Sequence, residues 1–395
     1  MKYDFETLIV RKNEGASKWR LMENFDKDFS DDIVPLSVAD MEFKTAPEIV
    51  QGLKDYIDCS ILGYTRGTDT YYKAVCSWMK RKHNWEISKE WIVAFSGVVP
   101  TLYAIVKALT NPGDGVIIMT PVYYPFYSAV EAEQRKILRN ELKLHGDHYE
   151  IDFQDLEEKA RMDSTKLLFL CNPHNPVGRV WTKEELERLG RICIDNNVLV
   201  VSDEIHFDLI MPGYKHTVFA AISEEFQDNS ITCTAPSKTF NLAGLQVSNI
   251  IISNEKVRQL VEKKRENDGY DELNILGYKA CEVAYTQCDS WLDTLINTLE
   301  TNRQFVVNYI TNNIPRIKVI NLEGTYLQWL DFRELGMKPK ELEEFMRREA
   351  QLFLDEGYIF GKEGEGFERI NIACPTKVLE DALIRLYDAI KRLAK

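Results

Sequence analysis

The 395-residue sequence predicts an α/β protein, with a mostly parallel sheet in a large domain and a smaller α/β domain following it. Three observations carry this expectation. Through the middle of the chain, short apolar runs alternate with helix-patterned segments, the texture of strand–helix–strand crossovers. Beyond about residue 285 the pattern changes to long amphipathic helices and sparse strands. The length allows two or three domain-sized pieces rather than one.

Taken in order, Val98, Leu102, Ile105, Val106 and Leu109 have helical spacing, and residues 115–119 read as a buried strand. Residues 166–171 give another strand. Thr182-Lys183-Glu184-Glu185 is a capping box, opening a helix whose inward positions are Leu186, Leu189 and Ile192. Strands follow at 198–201 and 231–234. Near the end of the chain, Val378, Leu379, Ala382, Leu383, Leu386 and Ile390 form the apolar stripe of a helix. The large domain is therefore expected over residues 46–285.

Composition narrows the function. The formal net charge is −13, and neither sign forms a long block, so nucleic acid and anionic membranes are not expected partners. No signal-peptide layout opens the chain and no apolar run approaches a membrane span. The eight cysteines are scattered without a CxxC pair or a His-rich cluster. Several lie in apolar segments, where free cysteine behaves as a small core residue. No metal site is expected, and a reducing cytoplasm suits such thiols.

The residues that carry chemistry sit just past strand ends, where ligands bind in open α/β sheets. In Thr234-Ala235-Pro236-Ser237-Lys238-Thr239, a lysine follows a buried strand. Lysine forms Schiff bases with carbonyl compounds, and pyridoxal 5′-phosphate (PLP) supplies such a carbonyl. Asp203, in Ser202-Asp203-Glu204-Ile205-His206, offers a carboxylate suited to the pyridine nitrogen of that cofactor. Asn172-Pro173-His174-Asn175-Pro176-Val177-Gly178 makes a tight loop that presents the Asn175 amide to the cofactor's phenolic oxygen or a substrate carboxylate. Gly97 and Val98 open a helix whose free N–H groups suit a phosphate. In Pro121-Val122-Tyr123-Tyr124-Pro125-Phe126-Tyr127, one aromatic ring can stack on the pyridine face, while Phe126 and Tyr127 are expected in the core. Arg369 starts an apolar segment with a fork suited to a carboxylate. Each feature has a plain structural counterpart: a surface lysine, a capping aspartate, a rigid turn, core aromatics, an edge arginine. Their joint placement on successive strand ends favours the cofactor reading.

Together, Asn-Pro-x-Asn-Pro-x-Gly, Ser-Asp-Glu-Ile and Ala-Pro-Ser-Lys resemble the fold-type I PLP enzymes, the aspartate aminotransferase superfamily. Residues 37–43, 171–181 and 361–375 are closer to the MalY/PatB group of cystathionine β-lyases, and to its cysteine desulfhydrase (C–S lyase) members. The resemblance spans essentially the whole chain. It implies a carbon–sulfur β-lyase acting on an amino acid, with an aminotransferase and a lyase that doubles as a regulatory binding protein as rivals. It implies Lys238 as Schiff-base lysine and proton shuttle, Asp203 on the ring nitrogen, Asn175 on the ring oxygen and Tyr123 stacked on the ring. Gly97, Val98 and Ser237 would hold the phosphate, joined by Tyr64 from the partner of a homodimer, and Arg369 the substrate carboxylate. It also implies that residues 1–45 join residues 286–395 in the small domain. Two positions depart from the aminotransferase pattern: His206 replaces a tyrosine, and Gln246 replaces a phosphate-binding arginine. The polar stretch 266–274 has no assigned counterpart and is a candidate border of the substrate entrance.

Overall fold

Seven strands build the main sheet of the computed structural model, which describes residues 3–25, 29, 33–269 and 272–393. They are β1 (Ile92–Phe95), β2 (Gly115–Thr120), β3 (Lys136–Glu141), β4 (Thr165–Cys171), β5 (Leu199–Asp203), β6 (Ser230–Thr234) and β7 (Ser248–Ile251). Their spatial order is β1-β7-β6-β5-β4-β2-β3. Only β7 runs against the others, pairing antiparallel with both β1 and β6. Strands β2 and β4 to β6 are buried almost throughout, because helices cover both faces of a parallel sheet. The four strands read from the sequence all form, each within two residues of the expected ends. Three others were not anticipated. β3 lies at an edge and reads as polar, while β1 and β7 are four residues each.

The helix Lys183–Asp195 carries the expected capping box, with Thr182 and Glu185 satisfying one another's backbone N–H groups. Its inward face differs in one position. Leu186, Leu189 and Cys193 are buried, whereas Ile192 is only partly so, since the face rotates toward the small residue Gly190, which lies against the Phe226 ring. Helix Thr376–Leu393 buries Leu379, Ala382, Leu383, Leu386 and Ile390, with Val378 partly covered. Phe126 is fully buried, and Tyr127 is half-buried with its hydroxyl donating to Phe360 O at 2.8 Å.

A second sheet is antiparallel, in the order β8 (Lys318–Val319), β9 (Leu327–Asp331), β11 (Phe367–Asn371), β10 (Asp355–Glu356). An N-terminal strap crosses it. Leu36 N donates to Phe353 O, Asn371 N to Leu36 O, and Glu42 N to Ala373 O, each at 2.9 Å. Lys18, buried with Glu42, bonds Asp40, and Arg11 pairs with both acids, which holds the strap down. One apolar cluster runs from Trp78 and Tyr285 through Leu299 to Leu327 and Leu383. No described helix is long and apolar enough to cross a membrane. All eight cysteines are free thiols, six of them buried.

Candidate active site

Because β4, β5 and β6 are parallel neighbours in register, Cys171, Asp203 and Cys233 end side by side. The loops that follow enclose a cavity of about 160 Å3 lined by Gly97, Val98, Tyr123, Asn175, Asp203, Ser237 and Lys238, with Ala39, His206 and Gln246. Seven of the nine residues expected at the site thus meet in one place. The remaining two, Arg369 and Tyr64, do not line this cavity.

Lys238 lies in the one-turn helix Pro236–Thr239, started by its proline. Its Nζ donates to Ala39 O at 2.7 Å, and burial pushes the amine down to about 8, with Asp40 and Asp203 opposing that shift. Asp203 caps β5. Burial raises its carboxyl to about 7, opposed by the Ile205 N–H at 3.2 Å and by the charge of Lys238. A carboxyl so poorly solvated is stabilised as an anion by any cation placed against it.

The loop after β4 has a fixed backbone geometry. The Asn172–Pro173 and Asn175–Pro176 bonds are both cis, and Gly178 has φ 76°, where a side chain would also run into Leu322. His174, buried and pushed down to about 4 by desolvation, is neutral and bonds Pro121 O at 2.9 Å. Tyr123 N donates to Asn175 O at 3.1 Å, so the two loops are joined through their backbones. Burial raises the Tyr123 hydroxyl well above its usual range. Asn175 Oδ1 accepts Arg369 Nη1 at 2.7 Å, and Arg369 Nη2 donates to Asp355. Arg369 is buried beside Asn175, with its Nε lacking a partner among the described residues.

Gly97 precedes helix Val98–Leu109, whose first N–H groups have no acceptor within the helix. Ser237 lies beside Lys238. Tyr64 is 97% exposed, in a stretch that also leaves Ile61 and Leu62 in solvent. His206 is buried, without a partner on Nδ1 among the described residues, and is kept neutral by desolvation, with Lys238 and Arg369 adding to the effect. Gln246 sits at the cavity with φ 53°. Of the stretch 266–274, residues 270 and 271 lie outside the described residues, and Glu266 lines a different hollow with Arg66 and Arg265. Sequence reasoning missed Ala39, although its motif was singled out, and Asp355, which nothing local distinguishes.

An amine, an opposed carboxyl, an aromatic ring and a helix N-terminus around one cavity suit a planar cationic heteroaromatic group with a carbonyl and an anionic arm. The carboxyl also yields a pH test. Its folded pKa of about 7 lies above the ordinary carboxyl value of 3.8, so the folded chain holds that proton more tightly than the unfolded chain. Below about pH 4 this has no effect on stability, and the penalty grows as pH rises through 7. Cofactor-free Asp203→Asn should therefore melt above the parent at pH 8 but not at pH 4. A parent that melts higher at pH 8 would contradict the burial argument.

The model of the aminotransferase class I and II family matches residues 31–386, and the chain belongs to that family. Its relatives within the family include carbon–sulfur lyases. It is 42% identical to the cystathionine β-lyase PatB of Bacillus subtilis (strain 168), over 91% of this chain and 93% of the relative. Cystalysin from Treponema denticola, whose crystal structure contains pyridoxal 5′-phosphate, superposes with a TM-score of 0.98 at 51% identity, covering 100% of both chains. The PLP-bound C–S lyase from Staphylococcus hominis superposes at 0.91 with 32% identity, covering 98% of each. The resemblance read from the motifs, including that to the MalY/PatB group and its C–S lyase members, is borne out, as is the fold-type I architecture.

Proposed function

We propose that this protein is a PLP-dependent carbon–sulfur β-lyase, carrying out α,β-elimination from L-cystathionine, L-cysteine or a related S-substituted cysteine. The products are a thiol or sulfide, pyruvate and ammonia. The observation that carries this reading is the buried Lys238 amine, pushed down to about 8, in one cavity with the buried Asp203 carboxyl, which forms no ion pair among the described residues. The donor set fits PLP: Asp203 for the ring nitrogen, Tyr123 for the ring face, Asn175 for the ring oxygen, and Gly97, Val98 and Ser237 for the phosphate. When bound, PLP supplies an electron sink for the charge left at the substrate's α-carbon.

The chain does the rest. Lys238 anchors the cofactor and then, as a free neutral amine, takes the α-proton; desolvation keeps a usable fraction neutral near pH 7. Arg369 and the Asn175 amide hold the α-carboxylate, which fixes the α-proton toward Lys238. Buried walls exclude water from this transfer. Exposed Ile61, Leu62 and Tyr64 support a homodimer in which Tyr64 completes the partner's phosphate site. A monomer mass with full PLP affinity would reject the shared site. The strap contacts support the division into 46–285 and 1–45 with 286–395. The eight free thiols support a reducing, cytoplasmic location.

Incubation of the purified protein with L-cystathionine and no keto-acid acceptor should release pyruvate and ammonia in equal amounts with the thiol. Turnover only when a keto acid is added would instead establish an aminotransferase. Retention of PLP with no amino-acid turnover at all would favour a regulatory binding protein.

A further inference from the structure

Asp203 and Lys238 must keep a set separation, yet Asp203 ends β5 while Lys238 acts from a turn beyond β6. Register holds Asp203 opposite Cys233, but β6 ends at Thr234, four residues before Lys238. Five residues past Asp203, Asp208 has a side chain that is 1% exposed. Its Oδ2 accepts Thr239 Oγ1 at 2.8 Å, and its Oδ1 accepts Trp78 Nε1 at 3.1 Å and meets His83 Nε2 at 2.8 Å. Thr239 is fully buried and directly follows Lys238. Among the described residues, Thr239–Asp208 is the one side-chain hydrogen bond between segments 203–209 and 235–241. The other end of the Asp208 anchor is rigid. Trp78 and His83 both belong to helix Asp69–His83, and the His83 ring stacks on Phe207 at 4.1 Å, 8° from parallel. Glu204 secures the start of the same loop through Ser202 Oγ, Phe219 N and His216 Nε2.

We propose that Asp208 is a positioning residue for Lys238: through Thr239 it ties the lysine turn to the Asp203 loop and fixes where the amine lies. This rests on the reading of Lys238 as the PLP lysine. Four charged groups act on Lys238, namely Asp40, Arg369, Asp203 and Lys18, of which Asp203 lines the cavity, and no substitution below alters them. A turn released from Asp208 lets the amine reach water, so the proton is lost at higher pH.

The test follows the rate of PLP uptake by the cofactor-free full-length chain against pH, since only the neutral amine attacks the aldehyde, with water as the leaving group. The parent midpoint is expected near 8. Thr239→Val should raise it by roughly one pH unit toward that of an ordinary lysine, about 10.4, and Thr239→Ser should restore it. Asp208→Asn should shift it in the same direction, and the double variant with Thr239→Val by no more than the larger single shift. A Thr239→Val midpoint unchanged to within about 0.2 unit, a serine variant that behaves like valine, or additive shifts would each overturn the proposal; the threshold is a small part of a unit worth about 1.4 kcal/mol. Melting temperatures measured alongside report any merely structural loss, which lowers stability without moving the midpoint. If the parent takes up no PLP, or Lys238→Ala gives the same absorbance change, the fault lies with the lyase reading and not with Asp208.

Discussion

Replacing Lys238 with alanine should cut turnover by more than about a thousandfold, the upper range for a positioned acid–base group, while the chain stays folded. The substitution removes both the anchor for the cofactor and the base for the α-proton. The residue is suited to the second task by burial: at about 8, its amine is neutral in roughly a tenth of molecules at pH 7, against far fewer for a solvated lysine. Activity should therefore rise with pH toward that midpoint. Stability should change little, because the single hydrogen bond lost is to Ala39 O, which also accepts the Tyr326 hydroxyl at 2.8 Å. Pyruvate release at the parent rate by Lys238→Ala would end the assignment.

Arg369→Ala should lower kcat/KM by about 2–5 kcal/mol, which is roughly thirtyfold to several thousandfold, mainly by stranding the substrate carboxylate. The geometry adds a second expectation. The two terminal nitrogens of Arg369 go to different acceptors, Asn175 Oδ1 and Asp355, so a lysine cannot replace the fork. Arg369→Lys should recover only a minor part of the loss. Asp355 also accepts Val38 N at 2.9 Å, so the arginine, the strap and β10 move as one unit. Steady-state kinetics on L-cystathionine decide the matter: parent-like KM and kcat in Arg369→Ala would remove the carboxylate role.

The strands that the sequence made legible are those whose burial is nearly continuous, as in Ile117 and Ile118 or Leu168 to Leu170. The edge strand β3 was not legible, because one side of Lys136–Glu141 faces solvent and its residues are mostly polar. The short β7 was missed for another reason. Its place between β1 and β6 is set by antiparallel pairing, which leaves no periodic mark in four residues. Site residues were legible where a reactive type directly follows a buried strand, as Asp203 does. Asp208 and Asp355 lack such a marker, and each reads as an ordinary loop or edge acid.

By itself, then, the sequence determined the α/β class, the strand ends that carry Asp203, Asn175 and Lys238, and the capped helix beginning after Thr182. These follow from local rules: hydrophobic period, side-chain caps, and proline at turns. Only the tertiary structure decided that Lys238 meets Ala39, 199 residues away, and that Arg369 meets Asn175, 194 residues away. It also decided that Arg369 is buried against Asn175 and Asp355 and that Tyr64 stands in solvent. Contacts at such separations come from strand order and from packing of the strap against the second sheet, and neither leaves a periodic signal in the chain.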